Sequence, residues 1–175
     1  MPPSESALVI LVPEAEGLVK PFREAHDPSA AVGVPAHITL LYPFKPPDEI
    51  DAAVLDGLTG CFAGVPPFDF RFETTRRFPQ TLYLVPEPAE PFRRLTRAIW
   101  QRHPETPPYG GRHPDIVPHL SLADRVDAAT LDRVEAAFSQ AARGALPLRA
   151  HAADVALLEN RTGRWQIRAV LPLGA

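Results

Sequence analysis

Two stretches of the chain alternate apolar and polar residues around a histidine, in the runs HITLLYPF and PHLSLAD. His37 is followed two residues later by Thr39, and His119 is followed two residues later by Ser121. Successive side chains of a β-strand point to opposite faces, so each histidine shares a face with its hydroxyl and the intervening apolar residues face a core. Each stretch is therefore predicted to be a strand that presents an imidazole and a hydroxyl on one side.

The first half of the chain is predicted to contain two strands, each followed by a helix. The strands cover residues 7–12 and 37–42, and the helices cover residues 14–25 and 48–63. Asp48 follows two prolines and is the predicted N-cap of the second helix, because an aspartate side chain accepts hydrogen bonds from the free N–H groups at a helix start.

The second half repeats this alternation with additional strands. Its predicted elements are, in chain order, strands over 68–73 and 81–85, a helix over 91–103, the His119 strand, a helix over 127–142, and closing strands over 146–158 and 165–171. The first of these strands alternates phenylalanines with charged residues, which is typical of a strand buried on one face. The repetition predicts two similar lobes, each contributing one histidine strand to a single site.

Length and composition are those of an ordinary globular domain. The 175 residues are 45% hydrophobic and 22% charged, which predicts one two-lobed domain over residues 1–175. The net charge of -3 argues against a protein that coats nucleic acid, because such proteins neutralise many phosphates, but it allows one RNA end or a small phosphate ligand. The first residues lack the features of a signal peptide or membrane span, so a cytoplasmic protein without a membrane partner is expected.

Neither a metal nor a cofactor is expected. Cys61 is the only cysteine, so no thiolate cluster can form within the chain. His113, Asp115 and His119 have a spacing that suits metal ligands, but prolines make this segment a loop and no second set of ligands accompanies it. One chain supplies both histidine strands, so a monomer is expected.

Two histidines that face each other have the groups that phosphodiester cleavage needs. Because the unperturbed pKa of histidine is about 6.5, one imidazole can take a proton from water while the other, protonated, gives one to a leaving oxygen. A hydroxyl beside each imidazole can donate a hydrogen bond to a phosphate oxygen and stabilise the developing charge. The residues leave open which histidine is the base.

The paired runs His37-Ile-Thr39 and His119-Leu-Ser121 resemble the signatures of the two-histidine phosphoesterase superfamily, in particular its bacterial 2'-5' RNA ligase-like or RNA cyclic phosphodiesterase branch. The resemblance extends over nearly the whole chain, including the strand pair around PPFDFRF and RRFPQTLYLVPE and the closing strand with Trp165. It implies an α+β, bilobal fold in which antiparallel sheets with helices packed outside line a central cleft.

The resemblance also implies an activity and a set of site residues. It implies metal-independent opening of 2',3'-cyclic phosphates at RNA ends or on nucleotides, or action on 2'-5' linkages, with reversible ligation as a further activity. His37 and His119 would be the acid-base pair, with Thr39 and Ser121 on the phosphate. The predicted substrate contacts are Arg125, Tyr83 and Tyr109.

The chain departs from the family pattern at two positions. Asp124 stands where the branch often has an arginine, with Arg125 one residue later, and Tyr83 stands where the branch often has a tryptophan. Two alternatives therefore stay open beside the phosphodiesterase. One is an RNA- or nucleotide-binding module with little catalysis, and the other is a phosphoesterase for a cyclic phosphate outside RNA, such as one derived from ADP-ribose.

Overall fold

The computed structural model describes residues 2–174 and contains eight strands and five α-helices in that range. The strands are β1 (Ser6–Leu11), β2 (His37–Leu41), β3 (Phe68–Phe78), β4 (Thr81–Glu87), β5 (Leu120–Ala123), β6 (Leu148–Ala152), β7 (Asp154–Glu159) and β8 (Gln166–Pro172). The helices are α1 (Pro13–His26), α2 (Pro28–Ala31), α3 (Ala52–Ala63), α4 (Glu90–Arg102) and α5 (Ala128–Ala141). Short 3-10 turns lie at Pro47–Glu49 and Pro108–Gly111.

The strands form two four-stranded sheets in which every pair is antiparallel. Sheet A has the order β2-β1-β7-β8, and sheet B has the order β5-β4-β3-β6. Each histidine strand is thus the edge strand of its own sheet, and β2 and β5 contact each other across the junction between the sheets. The predicted α+β fold with two similar lobes is confirmed.

The lobes do not correspond to the two halves of the chain. The stretch over residues 146–158 divides into β6, which pairs with β3 in sheet B, and β7, which pairs with β1 in sheet A. The chain passes from one sheet to the other at Ala153, and β7 and β8 complete the lobe that contains β1 and β2. The expectation that all closing strands belong to the lobe of the second half is therefore wrong for β7 and β8. The hydrophobic pattern of a strand does not specify its partner.

The connecting helices tie the two lobes together. Helix α1 follows β1 of sheet A but packs against β5 and β6 of sheet B, and helix α4 follows β4 of sheet B but packs against β2 of sheet A. At the second contact the Thr96 hydroxyl donates to the Leu40 carbonyl at 2.7 Å. One continuous core contains apolar side chains from both sheets and from the helices, including Phe62, Phe72, Phe92 and Phe138. This shared core fixes the two histidine strands relative to each other.

Helix α3 begins later than predicted. Prolines confine residues 47–49 to a 3-10 turn, and the helix starts at Ala52 with Asp51 as its N-cap, whose carboxylate accepts from the Val54 N–H at 2.9 Å. The prediction of Asp48 as the cap is wrong, although the type of cap is right. None of the helices within residues 2–174 has the length and apolar character that crossing a bilayer requires.

Candidate active site

The two histidine strands present their polar residues as the alternation predicted. His37 and Thr39 are half-buried on one face of β2, whereas Ile38 on the other face is completely buried. His119 directly precedes β5, where Ser121 is half-buried between two fully buried leucines. Since β2 and β5 are neighbouring edge strands of the two sheets, the structure brings both imidazole and hydroxyl pairs to the junction between the sheets, which we call the cleft.

Both imidazoles are anchored to the backbone in the same way. Nδ1 of His37 lies 2.8 Å from the Pro35 carbonyl oxygen, and Nδ1 of His119 lies 2.7 Å from the Val117 carbonyl oxygen, in each case two residues upstream. A carbonyl oxygen can only accept, so Nδ1 carries the hydrogen in both rings. Each neutral imidazole therefore keeps Nε2 as the nitrogen that can accept a proton.

Charges around the two imidazoles differ. Burial lowers the pKa of His37 to about 4, with a further lowering by the Arg23 guanidinium and by His119 itself, whereas the hydrogen bond to Pro35 and the Asp27 carboxylate oppose this. Burial also lowers the pKa of His119, and the hydrogen bond to Val117 raises it, as the bond to Pro35 does for His37. The difference is that two carboxylates, Asp124 and Asp27, raise the pKa of His119. The electrostatic influence of His119 on His37 reflects their proximity. The surrounding charges favour a proton on His119 over one on His37.

A buried ion pair lies at the end of α1, close to both histidines. The Nε of Arg23 donates to Asp27 at 3.1 Å, and both side chains are less than 5% exposed. Ser29 completes the network, because its hydroxyl donates to Asp27 at 2.8 Å and accepts from Arg23 at 3.0 Å. Sequence reasoning missed this network, since an arginine and an aspartate four residues apart look the same in a solvated helix face as in a buried one.

Tyr109 reaches the first histidine strand from the long loop between α4 and β5. Burial raises the pKa of its phenol to about 12, against an opposing effect of the Thr39 side chain, so the phenol keeps its proton at neutral pH. Its backbone N–H donates to the Tyr42 carbonyl at 2.6 Å, and its φ of 52° lies in the left-handed region. Such a φ is costly for a residue with a side chain. The loop is therefore held in a conformation that brings this phenol to the cleft.

Tyr83 lies beside the second histidine but is covered. Its ring centroid is 5.3 Å from His119 and 4.4 Å from Phe78, and only 5% of the residue is exposed. Phe78, which is half-buried, also contacts His119 at 5.3 Å in an edge-to-face arrangement. Phe78 thus presents the outer aromatic face on this side of the cleft. Sequence reasoning missed it, and the contact of Tyr83 with substrate stays a prediction.

The segment after Ser121 carries both residues that depart from the family pattern. Asp124 accepts a hydrogen bond from the Thr81 hydroxyl at 2.7 Å, so its carboxylate is tied to β4. Arg125 has a φ of 58° and a side chain that is 79% exposed, with its Nε 3.8 Å from Asp124. The guanidinium of Arg125 is thus solvent-exposed beside Asp124, and its predicted substrate contact stays a prediction.

His113, Asp115 and His119 are the residues whose spacing suits metal ligands but for which no metal was expected. Within residues 2–174, no three His, Cys, Asp or Glu side chains converge in a way that would hold a metal ion. The His113 ring instead packs edge-to-face on Tyr109, with the centroids 5.7 Å apart.

Comparison with known proteins places the chain in a family. Residues 11–164 match the family described as the 2'-5' RNA ligase superfamily. No curated protein is a significant match to the sequence. Solved structures match over nearly the whole chain, although their sequence identity is low.

Three crystal structures illustrate the likeness. LigT of E. coli, complexed with 3'-AMP, superimposes with a TM-score of 0.62 at 14% identity and covers 99% of this chain and 100% of its own. TT0787 of Thermus thermophilus has a TM-score of 0.62 at 19% identity and 97% coverage of both chains. The conserved protein ATU0111 of Agrobacterium tumefaciens has a TM-score of 0.53 at 17% identity, covering 98% of this chain and 87% of its own. The fold is therefore that of LigT, and the match over residues 11–164 shows that the chain belongs to the 2'-5' RNA ligase superfamily.

Proposed function

We propose that this protein is a phosphodiesterase that opens 2',3'-cyclic phosphates at RNA ends or on nucleotides without needing a metal ion. The observation that carries the proposal is the pair of imidazoles on neighbouring edge strands, each anchored through Nδ1 and each followed by a hydroxyl on the same face. Two such imidazoles can supply both the base and the acid that the hydrolysis requires.

The proposed reaction is a displacement at phosphorus. One neutral imidazole takes a proton from water at Nε2 as the water oxygen forms a bond to phosphorus. The bond between phosphorus and one ribose oxygen breaks, and the other histidine, protonated, gives its proton to that oxygen. Thr39 and Ser121 donate hydrogen bonds to the non-bridging phosphate oxygens, whose charge they stabilise in the transition state.

The charges near the two histidines support a division of roles. His37, beside Arg23, remains neutral at physiological pH and is the proposed base. His119, beside Asp124 and Asp27, holds a proton more readily and is the proposed acid. The identity of the phosphomonoester product then depends on which ribose oxygen lies next to His119.

The ligands of related structures agree with a phosphate-bearing nucleotide as substrate. LigT of E. coli has been crystallised with 3'-AMP, with NADP+ and with ATP. A ligand of this size would bring one phosphate to the histidines and leave its nucleoside in the cleft. The RNA end and the monomeric state of this protein are part of the proposal.

The test is a panel of cyclic phosphates analysed by mass spectrometry in the presence of EDTA. The panel contains 2',3'-cyclic nucleotides, RNA oligonucleotides ending in a cyclic phosphate, a 2'-5'-linked dinucleotide, and ADP-ribose cyclic phosphate. Ring opening of the nucleotides or oligonucleotides, lost in His37→Ala and His119→Ala, is the expected result. Binding without turnover would identify a binding module, and turnover of the ADP-ribose compound alone would identify a different phosphoesterase.

A further inference from the structure

A row of side chains crosses sheet B on the face that carries His119. In the strand register Ser121 of β5 lies opposite Tyr83 of β4, and Tyr83 lies opposite Arg76 of β3. Residues that are opposite one another in an antiparallel sheet share a face. Phe78 follows Arg76 by two positions and shares this face as well, as its contact with His119 shows. The row thus leads from the proposed phosphate site to an arginine.

Arg76 has no acidic partner, unlike the other arginines of β3. Arg71 pairs with Glu73 at 2.5 Å, and Arg77 pairs with two carboxylates of α5. Within residues 2–174 no carboxylate lies within 4.0 Å of the exposed Arg76 guanidinium. Burial raises the pKa of Tyr83, and the nearby charge of Arg76 opposes this rise. An uncompensated guanidinium therefore stands at the end of the row, next to the aromatic side of the site.

Sheet A offers nothing equivalent. In its register Thr39 of β2 lies opposite Val9 of β1, and Val9 lies opposite Ala156 of β7. Both partners are almost completely buried and belong to a small apolar cluster that Trp165 covers. A ligand that extends from the histidines along a sheet can therefore find a polar contact on sheet B and none in the matching row of sheet A.

We infer that Arg76 and Phe78 form a subsite for the nucleoside that carries the cyclic phosphate, an inference that rests on the proposed function. The base packs on Phe78, since aromatic rings stack on nucleobases of any sequence. Arg76 binds the phosphoryl group on the 5' side of that nucleoside, because a guanidinium donates paired hydrogen bonds to phosphate oxygens. Two strand spacings, about 10 Å, separate Arg76 from Ser121, a distance that one nucleotide can span.

The 5' phosphoryl group has two sources, the internucleotide linkage of an RNA end and the 5'-phosphate of a free nucleotide. Three substrates with the same base distinguish them. The first is the nucleoside 2',3'-cyclic phosphate with a 5'-hydroxyl, the second is the same compound with a 5'-phosphate, and the third is a dinucleotide that ends in the cyclic phosphate.

The experiment measures kcat/KM of each substrate for the wild type, Arg76→Ala, Arg76→Lys and Arg71→Ala. The wild type is expected to prefer at least one 5'-phosphoryl substrate over the 5'-hydroxyl compound by about tenfold or more, mainly through KM, because a hydrogen bond to a charged group is lost without that phosphate. Arg76→Ala removes the preference and Arg76→Lys retains part of it. Arg71 is an exposed arginine of the same strand outside the row, so Arg71→Ala should retain the 5'-phosphoryl preference.

Each result decides the inference. A preference for the dinucleotide alone assigns the internucleotide linkage, and an equal preference for both phosphorylated substrates assigns the phosphoryl group regardless of its source. Turnover without a 5'-phosphoryl preference, or a preference that persists in Arg76→Ala, overturns the subsite and leaves the proposed function intact. Failure to open any of the three substrates refutes the proposed function, and the subsite with it.

Phe78 is tested by a KM and kcat comparison. Phe78→Ala is expected to raise KM for all three substrates by about tenfold, since stacking of one base on an aromatic ring contributes this much. Phe78→Trp, which keeps an aromatic face, restores KM. An effect of Phe78→Ala on kcat alone would mean that the ring only supports His119 and would overturn its role in binding.

Discussion

Beside His37 lie a buried helix end and the guanidinium of Arg23, whereas His119 lies against the rings of Tyr83 and Phe78 and near the carboxylate of Asp124. The anchoring of the two imidazoles is nevertheless the same, through Nδ1 to a carbonyl two residues upstream. The comparison separates two contributions to the site. The repeated strand geometry supplies two equivalent imidazoles, and the unequal surroundings make them suited to different roles.

Removing either imidazole is expected to have the largest effect. His37→Ala and His119→Ala should each lower kcat by about 10²- to 10⁴-fold on a 2',3'-cyclic nucleotide, because each deletes one partner of the acid-base pair. The matched control is His151→Ala, an exposed histidine whose Nδ1 lies 2.6 Å from Asp69 outside the cleft. Steady-state kinetics check the prediction, and wild-type turnover in either mutant would mean that the two lobes do not share the chemistry.

The buried ion pair joins the two sides of the comparison, because Asp27 acts on both histidines. Asp27→Ala is expected to lower the free energy of unfolding by about 3–5 kcal/mol, since it leaves the Arg23 guanidinium buried without its partner. The control in the same helix is Glu24→Ala, which breaks the exposed Lys20–Glu24 pair and should cost less than about 1 kcal/mol. Urea unfolding measures both, and equal effects would show that the Arg23–Asp27 pair is not buried.

The hydroxyls are expected to have a smaller effect on turnover than the imidazoles. Thr39→Val and Ser121→Ala should each reduce kcat/KM by about ten- to a hundredfold, because each loses one hydrogen bond to a charged phosphate oxygen. The loss should be greater for Thr39→Val, which also removes the hydroxyl that acts on the Tyr109 phenol. Thr39→Ser and Ser121→Thr should restore activity. If these exchanges fail to restore activity, the packing of the side chain at these positions is required and a hydroxyl alone is not sufficient.

The pKa values of the two imidazoles test the comparison between His37 and His119 most directly, although the expected changes are the smallest. NMR of the imidazole protons should give a pKa of about 4 for His37 and a higher value for His119. Asp124→Asn should lower the pKa of His119, because it removes a carboxylate that favours the charged ring, while that of His37 should stay the same. A His37 that titrates above His119 would reverse the proposed roles of acid and base.

The lowered pKa of His37 also makes stability depend on pH. The unfolded chain takes up a proton near its ordinary pKa of 6.5, whereas the native imidazole does so only near 4. The contribution of this histidine is therefore complete above about pH 6.5 and decreases as the pH falls from 6.5 to 4. Urea unfolding at a series of pH values should show this decrease, and His37→Gln should diminish it. An unchanged slope in that variant would assign the acid sensitivity to other groups.

Several features of the site were predictable because they depend on neighbours in the sequence. The two-residue period of a strand puts His37 with Thr39 and His119 with Ser121, and the structure shows these faces. The start of α5 was predictable for the same reason, since Asp127 accepts from the Thr130 N–H at 2.7 Å. The cap of α3 was predicted at Asp48, three residues before its actual position at Asp51. Two aspartates compete for one helix start, and the prolines before them favour a 3-10 turn.

Other features depend on contacts between distant segments and left no local signal. Phe78 and Arg76 lie at the end of a strand that the pattern extended only to residue 73, so the aromatic and cationic end of the row was outside the predicted element. The partners of Asp124 were equally hidden. Its carboxylate bonds to Thr81, which is 43 residues away in sequence, and its backbone N–H donates to the carbonyl of His26 at 3.0 Å.

The sequence by itself determined that two strands each carry an imidazole and a hydroxyl on one face, because side-chain direction follows from the pleat of the strand. The tertiary structure decided that these faces meet. Helices α1 and α4 each pack against the sheet that they do not follow in the chain, and the final strands β7 and β8 belong to the first lobe. It also decided the difference between His37 and His119. Burial and nearby charges set a pKa, and both are properties of the packed molecule and not of the residues beside each histidine in the chain.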